Sequence, residues 1–354
     1  MISRRFLATP SAVVVVVVSL ALVAAVAGQA PKPVTKSNAA GTKAATTSKA
    51  AATTWTPSSR TPDGQPELQG VWVFNTLTPM ERPKAQAEKA FLTEEEAAAL
   101  EKRATENRFK DSPPREGDPG TYNRFWTAEL TKATTRTSLI VDPPDGRLPP
   151  LTPEAQKLGI VQVRRNQAQA DSVLAESWLD YDSYERCIAR EIPRTGGNNP
   201  GAQIVQSPGY VTIFYEAMHD SRIIPLDPRP HVGPSIRLWN GDSLGRWEGN
   251  TLVVDTTNFS DKQTFFGASQ GSMHLIERFT RIDAETINYE VTVDNPATWT
   301  KPWTFVLPWW KNPEYLELFE YACQEGNYNS LSGMLKGARA QEKAAAEASK
   351  KEAR

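Results

Sequence analysis

The chain of 354 residues has three histidines, His219, His231 and His274, and each stands where it could do chemistry. His219 is followed by Asp220. A carboxylate beside an imidazole can fix its tautomer and raise its pKa. Neighbouring residues on a strand point to opposite faces, so this pair meets only if the chain bends there. Otherwise it is a polar hairpin tip. His231 lies in the proline-rich "DPRPHVGP", and His274 opens an apolar alternation. A turn, a loop and a strand start can converge at one rim, as in three-histidine zinc sites with an open position. On that ground a divalent metal such as zinc is an expectation at His219, His231 and His274, although no spacing is a recognised ligand pair.

The stretch "GDSLGRWEGNTLVVD" carries Asp242, Arg246, Glu248 and Asp255. An enzyme reading assigns His219 as general base, Asp220 or Glu248 as its orienter, and Arg246 as the stabiliser of developing negative charge, in a hydrolase or lyase. The plainer reading is an Arg246–Glu248 pair among solvated turn residues. Glu277 and Glu290 lie within alternating strands. A carboxyl pointing into an apolar interior has a raised pKa and suits general acid work; pointing outward it is only solvated. Six of the ten tryptophans fall between Trp239 and Trp310. Trp239, Trp303 and Trp309 are expected contacts for an apolar or aromatic small molecule, with Glu290 beside them and Arg222 or Arg246 orienting a polar group. Core packing is the competing account of these rings.

The elements that must hold these residues divide into two halves. In the first, "LTEEEAAALEKRATENRF" opens on Thr93 with Glu96 three residues on, a capping box, and predicts a helix near 93–110. Thr152 as cap and Pro153 at the first helical position predict a second helix near 153–177. From about Gln203 the period falls to two. "QIVQ", "YVTIFYEA", "SRIIPLD", "NTLVVDTTNF", "HLIERFTRI", "INYEVTVD", "WTFVLPWW" and "YLELFEYAC" read as strands, with Val71–Asn75 and Thr137–Val141 as further candidates. Short connections mean antiparallel pairing. A sheet of this many strands must close or fold over to bury its edges. The expected fold is therefore mainly β: an antiparallel up-and-down barrel, lipocalin-like, or a strongly curved sandwich with accessory helices from the first half.

The ends differ from the middle. Residues 1–30 join a basic start to the apolar run Ala12–Ala27 and small-residue cleavage sites, which predicts a signal peptide. The run falls short of the ~20 residues that span a bilayer, so no permanent membrane span is expected after cleavage. Residues 31–54 have almost no large apolar side chain and read as a disordered linker. Residues 55–335 form the expected single β-rich domain, and 336–354 a solvated helical tail. Net charge is −1 with no basic stripe, which argues against nucleic acid. Cys187 and Cys323 are the two cysteines, and an oxidising compartment favours a disulfide between them over buried thiols.

"TPDGQPELQGVW", "GDSLGRWEGNTLVVDTTNF", "HLIERFTRIDAETINYEVTVDNPATWTKPW" and "YACQEGNY" together resemble a family of uncharacterised secreted bacterial proteins. That resemblance implies export and a fold rather than a reaction. The family pattern near the end is Cys-His-Glu-Gly-Asn, whereas Gln324 stands here in place of that histidine. The Gly70-x-Trp72 strand opening also resembles the lipocalin-type signature, in which the tryptophan plugs the closed end of the barrel. The sequence thus points first to a periplasmic or secreted protein whose partner is a small molecule. The enzyme reading comes next, and a structural envelope protein third.

Overall fold

The computed structural model describes residues 60–107, 132–157, 177–181, 183–197 and 199–352. The expected signal peptide and linker lie outside them, as do 108–110 and 158–176 of the two expected helices.

The dominant element is one antiparallel sheet of ten strands. Its strands are β1 (Gly70–Val73), β2 (Ile140–Asp142), β3 (Gly201–Ser207), β4 (Tyr210–Tyr215), β5 (Ser221–Pro225), β6 (Asp242–Glu248), β7 (Thr251–Thr257), β10 (His274–Arg281), β11 (Thr286–Asp294) and β12 (Trp303–Trp310). The order across the sheet is β5-β4-β3-β1-β12-β11-β10-β7-β6, with β2 paired to β12 off this path. A separate two-stranded hairpin joins β8 (Thr264–Phe265) to β9 (Ala268–Ser269).

Alternation puts one face of every strand into a common core. Leu275 and Phe279 of β10, Tyr289 and Val291 of β11, and Trp303 and Trp309 of β12 belong to it, as do Ile213 of β4 and Ile224 of β5. Among the described residues, no backbone ladder joins the two end strands, β5 and β6. Their side chains do meet: Arg222 Nε donates to Ser243 Oγ at 2.9 Å. Gly245 permits this approach. A Cβ there would lie 2.8 Å from both Ile224 Cγ2 and Leu226 Cδ2.

Two sequence expectations change. "GDSLGRWEG" is strand β6 and not a turn, and its hairpin with β7 turns at Gly249-Asn250. Its polar residues are the outward half of an alternation whose inward half is Ser243, Gly245 and Trp247. "YLELFEYAC" is no strand. It runs across the outer side of the sheet, where Tyr315 and Leu318 pack with Val73 and Trp310.

The helices are few among the described residues. α1 (Glu94–Asn107) starts with the predicted capping box: Glu96 N–H donates to Thr93 Oγ1 at 3.2 Å, and Thr93 N–H to Glu96 Oε2 at 2.8 Å. α2 (Pro153–Lys157) is capped by Thr152, whose Oγ1 accepts from Ala155 N–H at 3.1 Å. α3 (Asn327–Glu352) begins earlier than the tail expected from residue 336 and is mostly exposed. No helix among the described residues is long and apolar enough to cross a membrane. Trp72 is fully buried; its indole N–H donates to Leu68 O at 2.9 Å, and the Arg281 guanidinium lies 5.7 Å from its ring.

Candidate functional site

The residues proposed for a His219-centred reaction are not one site. His219 ends a short helical turn, with φ +52, and is exposed. Its Nε2 accepts the backbone N–H of Tyr321 at 3.0 Å. Asp220 turns away from it and pairs with the buried Arg194 and the Arg190 N–H. Burial pushes the Asp220 carboxyl above its usual pKa, and Arg194 acts against that push. The dyad fails because the backbone changes from positive φ at His219 to extended at Asp220, which sends Asp220 to Arg194 while His219 takes the Tyr321 N–H. Arg246 and Glu248 lie on the outer face of β6. Arg246 Nη2 reaches Glu248 Oε1 and Arg278 Nη2 reaches Glu248 Oε2, each at 2.7 Å. They are a solvated ion cluster, not the orienter and charge stabiliser of His219.

The two remaining histidines do meet. His231 Nε2 lies 3.2 Å from Asp255 Oδ1, and His274 Nε2 lies 2.9 Å from the same oxygen. The other ring nitrogen of His231 faces Asp242 Oδ2 at 2.8 Å. Strands β6, β7 and β10 supply Asp242, Asp255 and His274 on the outer face, and the β5–β6 loop brings His231 over them. The hydrogen bond to His274 holds the Asp255 carboxyl below its usual pKa. The same bond, with Asp294 nearby, raises that of His274. His219 is not part of this group. No set of three or more His, Cys, Asp or Glu side chains among the described residues is arranged to hold a metal ion, which corrects the expected three-histidine zinc site.

The inner face holds a different chemistry. Glu277 points inward and is fully buried, whereas Glu290 lies on the outer face, opposite Arg278. Arg222 is 3% exposed and lies against Glu277; its Nη1 donates to Glu277 Oε1 at 2.8 Å and its Nη2 to Thr256 Oγ1 at 2.6 Å. Tyr289 O–H donates to the same carboxylate at 2.6 Å. Burial opposes the guanidinium charge, but Glu277 outweighs it and holds the Arg222 pKa above the usual arginine value. Burial pushes the Tyr215 hydroxyl up to about 12, with Arg222 opposing. Arg222 is thus committed to protein partners, so it is no free anchor for a ligand's polar group.

Trp303 and Trp309 are fully buried in the core and do not line an open mouth. Trp303 lies against Phe265, Phe266 and Trp299, and Trp309 against Phe74, Tyr215, Phe279 and Tyr289. Trp239 is half-buried in the β5–β6 loop. The buried indole N–H groups of Trp247, Trp303 and Trp309 have no hydrogen-bond partner among the described residues. Gln263 and Gln270, which sequence reasoning passed over, are buried as well, and three of their four amide atoms lack a partner among the described residues. Their signal was weak: two glutamines flanking a six-residue segment with Phe-Gly at its turn.

Cys187 and Cys323 form a disulfide, with 5.8 Å between their Cα atoms. Four residues before Cys323, Phe319 N–H donates to the buried Glu216 at 3.1 Å, and Asn199 donates to the same carboxylate. Tyr321 O–H meets Tyr184 O–H at 2.7 Å.

No protein-family model and no curated protein matches this chain. Among solved structures, it is similar to a crystal structure of a mutant of the fluorescent protein UnaG, at 13% identity and a TM-score of 0.21. That match covers 37% of this chain and 86% of the other. Likeness at that score carries no argument about fold or function.

Proposed function

We propose that this is an exported protein that binds a small apolar or aromatic molecule on the inner face of its sheet, which curves into a lipocalin-like barrel. The observation that carries this reading is a cluster of buried polar atoms without protein partners among the described residues: the indole N–H of Trp303 and, on the hairpin packed against it, the Gln263 amide and Gln270 Oε1. Buried polar groups are nearly always satisfied, and each exception asks for an explanation. A ligand with acceptor atoms, held among aromatic rings, supplies one. The side-chain contact between β5 and β6 supports the barrel, and the apolar N-terminal run supports export. The disulfide is in keeping with an oxidising compartment. The test is solvent extraction and mass spectrometry of protein purified from an exporting host. A stoichiometric small molecule, whose return to stripped protein quenches tryptophan fluorescence, is the expected result. A filled, ligand-free interior would favour a structural envelope protein.

The hydrolase or lyase reading keeps one specific support, at residues other than those first expected. Asp255 between His231 and His274 is a half-exposed acid–base group. Turnover of a generic ester, lost in His274→Gln, would favour it; no turnover above background would remove it.

A further inference from the structure

The β8–β9 hairpin has a buried face that faces the start of β12. Gln270 N–H donates to Gln263 O at 2.9 Å, one step beyond the Thr264–Ser269 pair, so the two glutamines are cross-strand neighbours. Alternation puts them on the same face as Phe265 and Ala268. All four are buried, while Thr264 and Ser269, on the other face, are exposed. Phe265 lies parallel to the Trp303 ring, with centroids 6.2 Å apart.

On this face the polar atoms outnumber their partners. Gln270 Nε2 donates to Ile192 O at 2.5 Å, but Gln270 Oε1 has no partner among the described residues. Neither do Gln263 Oε1, Gln263 Nε2 or Trp303 Nε1. A buried carboxamide with both atoms unpaired destabilises the fold, whereas an apolar side chain of the same shape does not. The hairpin turn adds to this. Phe266 and Gly267 both have positive φ, +55 and +76, the two-residue turn of a tight hairpin. A bulky residue there is unusual.

We propose that this face recognises a planar, neutral ring carrying an adjacent hydrogen-bond donor and acceptor, the edge of a cyclic amide. This rests on the reading that the inner face takes a small molecule. Gln263 presents one donor and one acceptor side by side, which an amide edge matches in both atoms. Trp303 N–H and Gln270 Oε1 offer one more of each. Phe265 and Trp303, whose rings face one another, supply an aromatic wall beside these amides. The neutral class follows from the neighbours of this face: Gln270 meets the Ile192 carbonyl and the Met273 sulfur, and Trp303 meets aromatic rings, so a charged ligand would be buried without a counter-ion.

The experiment titrates the full chain with 2-quinolone, which has the N–H and C=O edge, and with N-methyl-2-quinolone, which lacks the donor, by calorimetry. Saturable binding of the first, at least tenfold weaker binding of the second, and a tenfold loss for 2-quinolone in Gln263→Met are expected. Gln263→Met should unfold at a urea concentration no lower than the parent protein. Equal affinity for both probes, or indifference to Gln263→Met, overturns the amide-edge inference and leaves a binding protein. A marked fall in the urea midpoint of Gln263→Met also overturns it, because the amide then has partners in the protein. Absence of binding by either probe overturns it whatever is extracted from the purified protein; the broader function falls only if nothing is extracted either.

Discussion

The pair Arg222–Glu277 shows how much one inward position can decide. Each residue is one step of an alternation, yet both charges are taken out of water and must be matched by Tyr289, Thr256 and Ser243. Removing one partner leaves the other buried and uncompensated. Glu277→Leu is expected to cost about 3–5 kcal/mol in urea unfolding. The double change Arg222→Met with Glu277→Leu should recover most of that loss, because an apolar pair of similar volume is often neutral. On the outer face the His274–Asp255 contact gives a pH dependence. The raised pKa of His274 means its stabilisation is full below about pH 6.5 and is lost as pH rises through the folded value. The lowered pKa of Asp255 means its part is full above about pH 4 and is lost as pH falls through the folded value. Stability from this contact is therefore greatest between about pH 4 and 6.5. Asp255→Asn should flatten the decline of the thermal midpoint from about pH 6 to 8; an unchanged slope would contradict the assignment.

Strands β5 and β6 end the ladder, and glycine lets them approach. Gly245→Val would place branched atoms where Ile224 and Leu226 already lie. Overpacking of this kind typically costs about 1–3 kcal/mol. A Gly245→Val protein with the parent's urea midpoint would mean the two strands are not in contact. The segment after β12 is held differently, through Glu216, His219 and the disulfide. His219 contributes one hydrogen bond at an exposed site, so His219→Ala should change stability by no more than about 0.5 kcal/mol. Limited proteolysis of that variant should cut faster between residues 316 and 323. Protection equal to the parent's would show that the Tyr321 contact holds nothing in place.

The fold as a whole is tied across its length by Cys187 and Cys323, 136 residues apart in sequence. Closing a loop of that size restricts the unfolded chain by about 5 kcal/mol in the chain-entropy model. Unfolded, unreduced protein should show no free thiol, and Cys323→Ser should lower the thermal midpoint strongly. Two reactive thiols would contradict the link. The inner faces of the strands share one apolar cluster, and the buried ion pair is bonded to it through Tyr289, so losses there are expected to unfold the sheet cooperatively.

Local pattern alone determined most strands between residues 203 and 310, the antiparallel pairing of successive strands and, through the capping box, the helix start at Thr93, because these depend on residues a few positions apart. It also left β6 hidden, since a strand whose inward residues are Ser243, Gly245 and Trp247 has the composition of a turn. Tertiary structure decided which histidines meet. His231 and His274 are far apart in sequence yet share one carboxylate oxygen, whereas His219 and Asp220 are adjacent and part company. Parity along β10 and β11 allowed either Glu277 or Glu290 to face inward; only the register of the sheet sends Glu277 to Arg222 and Glu290 to the outside. Bonds between distant strands are fixed by the order and register of all the strands together, which no local stretch of sequence carries.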